Sequence, residues 1–295
     1  MTRLSVALAV AVALLSASRP QAQDRRDAVL DRATAYVQRF IEAYANVVAE
    51  EIYVQQTTSP RRTRRLRSDY SLVRFPGSDE WHAFRDVLEV DGKLLPDEGR
   101  TERLTKLFVE PPENALRRIE EIARAGVRYN LTDIGTLNEP LRVLAYLQPG
   151  YRERFRFIFG GIEEDLGPAV REVRFEEFSR PTILRTPRGT DTPSLGLVWI
   201  DEPTGRVVRT ELRPGRFVPA STRIVTTFRF DELLGIDVPA RMEDVYPDRT
   251  GEFVGTATYS RFRRFQARAE ASIDVPAPPK REPEPAREEG PATPR

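Results

Sequence analysis

From Tyr151 to Phe265 apolar side chains recur at every second position, and that period leaves few folds open to the chain. Phe155, Phe157 and Phe159 alternate, as do Val173 and Phe175. Further strands are predicted over Thr182–Arg185, Ser194–Asp201, Arg206–Leu212, Ser221–Phe230, Ala240–Tyr246 and Gly251–Phe265. The connections between them are short, which makes an antiparallel meander the expected topology.

Upstream the pattern is mixed. Leu30, Ala33, Val37, Phe40, Tyr44 and Val47 recur at three- and four-residue steps and predict a helix over Arg25–Glu50, with Asp24 as its N-cap. Strands are expected over Ile52–Thr57, Arg65–Phe75 and Trp81–Val90, with Asp91-Gly92 as a hairpin turn before Lys93-Leu94-Leu95. Helices are expected over Thr101–Val109, Glu113–Ala125 and Thr136–Leu147, broken by Pro111-Pro112 and with Pro140 in a first turn. The reading is one α+β domain over residues 24–274, helix-rich at 100–150 and a β-meander at 151–274.

The two ends are different material. Met1-Thr2-Arg3 is a short basic start, Leu4–Leu15 is apolar apart from Ser5, and Ser16-Ala17-Ser18 supplies small residues. That order predicts a secretory signal peptide over 1–18, with a cut as late as Gln23 the alternative. The apolar run is too short to span a bilayer as a helix, so a periplasmic or secreted protein without an integral span is expected. Val275–Arg295 carries seven prolines among Lys, Arg and Glu and predicts a disordered tail.

The composition removes several chemistries. With no cysteine there is no disulfide, no thiol nucleophile and no lipid-modified cysteine anchor. His82 is the one histidine, so a Ser-His-Asp triad or a histidine-rich metal site is not expected. The pairs Glu50-Glu51, Glu120-Glu121 and Glu176-Glu177, and the run Glu163-Glu164-Asp165, are sequence neighbours, which point apart on a strand or splay on a helix. The expectation is no enzyme, no catalytic residues, no cofactor and no metal. Net charge is +1, which gives no global field for nucleic acid. The densest basic run, Arg61, Arg62, Arg64, Arg65 and Arg67, is read first as a solvated approach to a strand. The competing reading is a site for an acidic envelope polymer.

One hairpin can be set in register. Asp201-Glu202-Pro203-Thr204-Gly205-Arg206 has the chemistry of a turn. If Asp201 and Arg206 close it, Trp199 faces Val208, Leu197 faces Thr210 and Leu195 faces Leu212; a bulge at Gly205 would shift this by one. Ile224, Phe228 and Phe230 continue the same apolar face. Leu195, Leu197, Trp199, Ile224, Phe228 and Phe230 are thus the candidate lining of a ligand groove, against the default of ordinary core.

The run Gly196-Leu197-Val198-Trp199-Ile200-Asp201, the turn Pro203-Thr204-Gly205, then Val207-Val208-Arg209, Val238-Pro239-Ala240-Arg241-Met242 and Tyr259-Ser260-Arg261-Phe262-Arg263 together resemble the exported LolA-like proteins, which include periplasmic lipoprotein carriers and envelope-stress regulators. The resemblance lies over residues 196–265. It implies a curved antiparallel half-barrel whose concave apolar face is covered by helices and holds an acyl chain. A lipid or lipoprotein acyl chain is therefore the expected partner. The alternative is an envelope scaffold or sensor that binds another protein through sheet edges and the tail.

Overall fold

The computed structural model describes residues 3–264, except 46, 75–80, 97–98, 100–101, 103–105, 108–113, 133–136, 138, 187, 216–221 and 248–250, with side chains described from Gln23 onward. The expected tail over Val275–Arg295 and most of the expected helix at Thr101–Val109 lie outside the described residues. Strands β1 (Val47–Thr58), β2 (Arg61–Arg74), β3 (Trp81–Val90) and β4 (Lys93–Leu94) precede the helical region. After it come β5 (Phe155–Ile162), β6 (Val170–Glu177), β7 (Leu184–Arg185), β8 (Asp191–Thr192), β9 (Ser194–Asp201), β10 (Val207–Pro214), β11 (Arg223–Asp231), β12 (Ile236–Pro247) and β13 (Glu252–Arg264). Eleven of these form one open sheet in the order β4-β3-β2-β1-β13-β12-β11-β10-β9-β6-β5, antiparallel throughout, and β7 and β8 pair separately. The first and last strands of the chain meet at β1–β13, so the strands before and after the helical region share a sheet.

The helices include α1 (Arg3–Tyr44), α2 (Ala115–Val127), α3 (Arg142–Ala145) and α4 (Pro149–Arg152). Among the described residues no helix is long and apolar enough to cross a membrane. Helix α1 lays Val29, Leu30, Ala33, Val37, Phe40, Ile41 and Tyr44 into the core, the stripe that its spacing predicts. It runs unbroken through Asp24, which is therefore no N-cap, and it ends at Tyr44 rather than Glu50. Val47 and Val48 already pair with Arg264 and Arg263 of β13, and β-branched residues favour that extended state. The expected helix at Thr136–Leu147 shrinks to α3, which starts only after Pro140. Helix α2 lies along β3, with Ala115 and Ile119 against Phe84 and Val73 and Gly126 against Val87. That covers a sheet edge that would otherwise be open to pairing.

The sheet must be curved. Eleven flat strands about 4.8 Å apart would span roughly 50 Å. Yet one core cluster joins Leu66 and Val87 near one end of the sheet to Phe155 and Phe175 near the other. Trp81 of β3 also donates its indole N–H to Gln148, just ahead of β5, at 2.9 Å. The sheet therefore wraps around α1 and the described residues of the segment 129–152. Its outer face carries much of the arginine. Arg65 and Arg67 pair with Glu89 at 3.2 and 3.0 Å, Arg261 with Glu50 at 3.1 Å, and Arg263 with Asp69 at 2.7 Å.

The β9–β10 turn is docked onto α1. Gly205 has φ of +75°, and a Cβ there would overlap the backbone of Arg32. Arg32 donates its Nε–H to the Glu202 carbonyl at 2.7 Å, and Arg25 pairs with the Glu202 carboxylate at 3.0 Å. Gly205→Ala is expected to lower stability by at least about 2 kcal/mol, because it combines a left-handed backbone with a helix-contact clash. Urea unfolding measures it; an unchanged midpoint would show that α1 does not need this close approach.

Candidate ligand-binding site

The structure divides the six residues expected to line one groove. The turn closes as expected, with the Asp201 N–H donating to the Arg206 carbonyl at 2.9 Å, and Val207 pairs with Ile200. A bulge at Val208 then shifts the register, so that Trp199 pairs with Arg209, Leu197 with Glu211 and Leu195 with Arg213. The expected pairs with Val208, Thr210 and Leu212 are thus not formed. A one-residue slip moves a strand's side chains to the other face. Val198 and Ile200 enter the core, while Leu195, Leu197 and Trp199 lie on the outer face. Trp199 is shielded there by the Arg209 guanidinium, 4.7 Å from its ring centroid. Ile224 is core, Phe228 meets Phe40 of α1 edge-on at 6.3 Å, and Phe230 is 54% exposed.

The covered face of β1, β3, β12 and β13 holds charged groups that the strand pattern alone did not single out. Glu51 has no exposed surface. Arg85 reaches it across β2 and donates through both Nε and Nη2, the latter at 2.7 Å. The guanidinium also lies over the rings of Tyr53 and Tyr70, 5.6 and 5.8 Å from their centroids. Burial disfavours the Arg85 charge, but the Glu51 carboxylate outweighs this and holds its pKa above the ordinary value. Beside them Asp244 accepts the Tyr53 hydroxyl at 2.8 Å. Burial raises the Asp244 carboxyl to about 6, against the Tyr53 hydrogen bond and the Arg85 charge, which lower it. Gly255 makes room: a Cβ there would overlap both the Asp244 carboxylate and the Tyr53 hydroxyl.

Neighbouring groups on the same face anchor the covering segment. Tyr246 accepts the Leu137 N–H at 2.7 Å, and Gln55 accepts the Leu131 N–H at 2.6 Å while donating to Asn130 at 2.7 Å. Further along, Tyr146 meets the Ser194 hydroxyl at 3.0 Å, and Glu177 accepts the N–H groups of Ile183 and Ser194 at 2.8 and 3.1 Å. Burial lifts the Tyr53, Tyr70, Tyr246 and Tyr259 hydroxyls well above their usual range. Glu51 and Glu177 are each committed to their own partners, so the arrangement fixes strands and loops. His82 sits half-buried on β3 opposite Val73, and the adjacent Glu50 and Glu51 point to opposite faces.

The open space lies elsewhere. A cavity of about 540 Å³ separates α1 from α4 and β5, lined by Gln23, Asp27, Leu30, Thr34, Pro149, Arg152, Glu153, Phe155 and Phe157. None of the six expected groove residues lines it. Gln23, Asp27, Leu30 and Thr34 follow one another at steps of four, three and four residues and so share a stripe of α1. Phe155 and Phe157 form the facing wall, with Phe155 stacked on Tyr146 at 4.7 Å. Thr34 donates to the Leu147 carbonyl at 2.9 Å, and Arg152 donates to Asp31 at 2.6 Å. The lining mixes the apolar Leu30, Pro149, Phe155 and Phe157 with the polar Gln23, Asp27, Thr34, Arg152 and Glu153.

A titration follows from Asp244. Its folded-state pKa of about 6 stands above the ordinary 3.8, so its stabilising contribution is complete below the unfolded value and is lost as pH rises through 6. The wild type should gain stability, on the order of 3 kcal/mol at most, as pH falls from 7.5 to 4.5. Asp244→Asn should flatten that slope and be at least as stable at pH 7.5. Chemical unfolding across this range checks it, and identical pH profiles for the two proteins would mean that Asp244 does not titrate there.

No family model matches the chain, and no curated protein matches it in sequence. Among solved structures it is similar to a DUF1329 family protein from Desulfovibrio piger, at 12% identity and a TM-score of 0.36 over 81% of this chain and 92% of that one. It is also similar to an outer membrane lipoprotein-sorting protein domain from Vibrio parahaemolyticus, at 12% identity and a TM-score of 0.39 over 79% and 95%. A LolA superfamily protein from Nitrosomonas europaea is similar at 14% identity and a TM-score of 0.35 over 79% and 94%. These likenesses concern the fold alone, and their TM-scores are too low to transfer a residue role or a ligand.

Proposed function

We propose that this protein is an exported, non-catalytic binding protein that carries the apolar part of a lipid or acylated molecule between α1 and β5. The observation that carries the reading is the 540 Å³ cavity, lined by Leu30, Pro149, Phe155 and Phe157 together with Gln23, Asp27, Thr34, Arg152 and Glu153. Its size falls within the usual range for small-ligand pockets. An acyl chain contributes about 0.8 kcal/mol per methylene taken from water, which offsets the cost of ordering it. The N-terminal segment with its basic start and apolar core supports export to the periplasm or beyond. A chain with one histidine and no cysteine lacks thiol nucleophiles and any histidine pair, which supports binding over catalysis.

Native mass spectrometry of protein purified from the envelope of an expressing cell should show a bound lipid, identified after extraction. Phe157 is half-buried, so Phe157→Glu should keep the fold while placing a charge on the apolar wall, and the bound lipid should fall at least about tenfold. An empty cavity together with a co-purifying envelope protein would favour the scaffold reading instead.

A further inference from the structure

We propose that β5 is a pairing edge, and that a second copy of this chain adds to it antiparallel about a two-fold axis at Phe157. The open sheet has two edges, and they are built differently. At one, β4 is two residues long, both exposed, one of them Lys93, and α2 lies along the neighbouring β3. Short length, lysine and a covering helix are the usual means of keeping an edge unpaired. At the other edge β5 runs for eight residues, Phe155–Ile162, with β6 as its one partner strand among the described residues. It contains no proline, lysine or carboxylate, and its single charge is Arg156. Both faces carry apolar side chains: Phe155, Phe157 and Phe159 pack toward the core, while Ile158 and Ile162 are 49% and 38% exposed. A long apolar edge without protection is a template for another strand.

The ladder shows which backbone groups are offered. Phe178 donates its N–H to the Arg154 carbonyl at 3.0 Å, and Phe155 lies opposite Glu177. Bonded and non-bonded positions alternate along an antiparallel pair, so Arg156 and Ile158 bond toward β6. The N–H and carbonyl groups of Phe155, Phe157 and Phe159 therefore face outward. Charge then selects occupant and register. A pair centred on Phe157 sets Phe155 against the second copy's Phe159 and Arg156 against its Ile158, in both directions. Arg154 meets Gly160 and Glu153 meets Gly161, so no charge faces its like. Sliding until Phe155 meets Phe157 brings the two Arg156 side chains opposite each other, and sliding the other way sets Glu153 against Glu163. The strand is thus complementary to itself in the register centred on Phe157. The proline-rich segment 275–295 is a poor rival, since proline cannot donate to a ladder. Phe157 also lines the cavity, and the second copy's Phe157 extends that wall across the axis. The pairing needs no bound lipid, so its failure leaves the carrier reading untouched.

Sedimentation velocity of the mature protein across the micromolar range should show a concentration-dependent dimer. Ile158→Lys places a charge on the outer face and leaves the cavity lining alone. It should weaken the dimer at least about tenfold with the far-UV spectrum unchanged. The chain has no cysteine, so single introduced cysteines report the register. Phe157→Cys should form an interchain disulfide on mild oxidation, its Cα atoms lying about 5.5 Å apart across the axis, whereas Ile162→Cys should not. A monomer throughout the range would overturn the proposal and leave β5 to a foreign strand. A dimer that survives Ile158→Lys, or that cross-links through Ile162→Cys and not through Phe157→Cys, would overturn it by placing the interface or the register elsewhere.

Discussion

A carboxylate with no exposed surface cannot stay charged without a partner, and much of this interior is arranged around the partner that Glu51 has. Arg85 crosses β2 to reach it, so the pair ties β1 to β3 through side chains as well as through the ladder. Removing either member of such a pair strands the other and typically costs about 3–5 kcal/mol. The Arg85 guanidinium in turn lies over Tyr53 and Tyr70, and Tyr53 holds Asp244 on β12. Gly255 is required because two polar groups occupy the place of its missing side chain. The middle of the wrapped face is thereby filled with polar side chains around the Glu51–Arg85 pair. A ligand must look for room where this network stops, and one open space lies toward the far edge, against β5.

The architecture was legible wherever side chains obey a simple period. The bounds of β3 and β9 follow from alternation alone, and α1 buries the stripe that its spacing predicts. Asp91 and Gly92, with φ of +49° and +83°, form the hairpin turn that their identities announce. The polar network was harder to see because it breaks no period. Glu51 alternates with Ala49 and Tyr53, Arg85 with Ala83 and Val87, and Asp244 with Met242 and Tyr246. A charged residue in phase with an apolar stripe is either at a strand edge or buried with a partner. Three such residues of mixed sign were the available signal, and reading each strand for its apolar members alone passed over it.

The groove residues failed to converge for a different reason. Turn chemistry correctly paired Asp201 with Arg206, but the bulge two residues later leaves no mark in composition. Val208 is an ordinary strand residue, and its extra place shifts β10 by one against β9, so that Leu212 joins Val198 and Ile200 in the core opposite Gly196 and leaves Trp199 on the other face. The cavity was equally hidden, since its α1 wall mixes Leu30 with Gln23, Asp27 and Thr34. A stripe that changes from apolar to polar along one helix face marks the point where the helix leaves the core and begins to line space. That change is visible in the sequence, but only the position of β5 gives it meaning.

The arginines complete the picture, because the same residue type behaves differently on the two faces. On the outer face they form a ladder with Glu50, Asp69 and Glu89, in contact with water, where single pairs add little and a connected set resists splaying of the strands. Arg64 in the dense basic run instead caps the carbonyls of Tyr129 and Asn130, at 3.0 and 3.3 Å, and helps hold the covering segment. Of that run, Arg64, Arg65 and Arg67 are thus occupied within the fold, and the run's density reflects strand pairing more than an anion site.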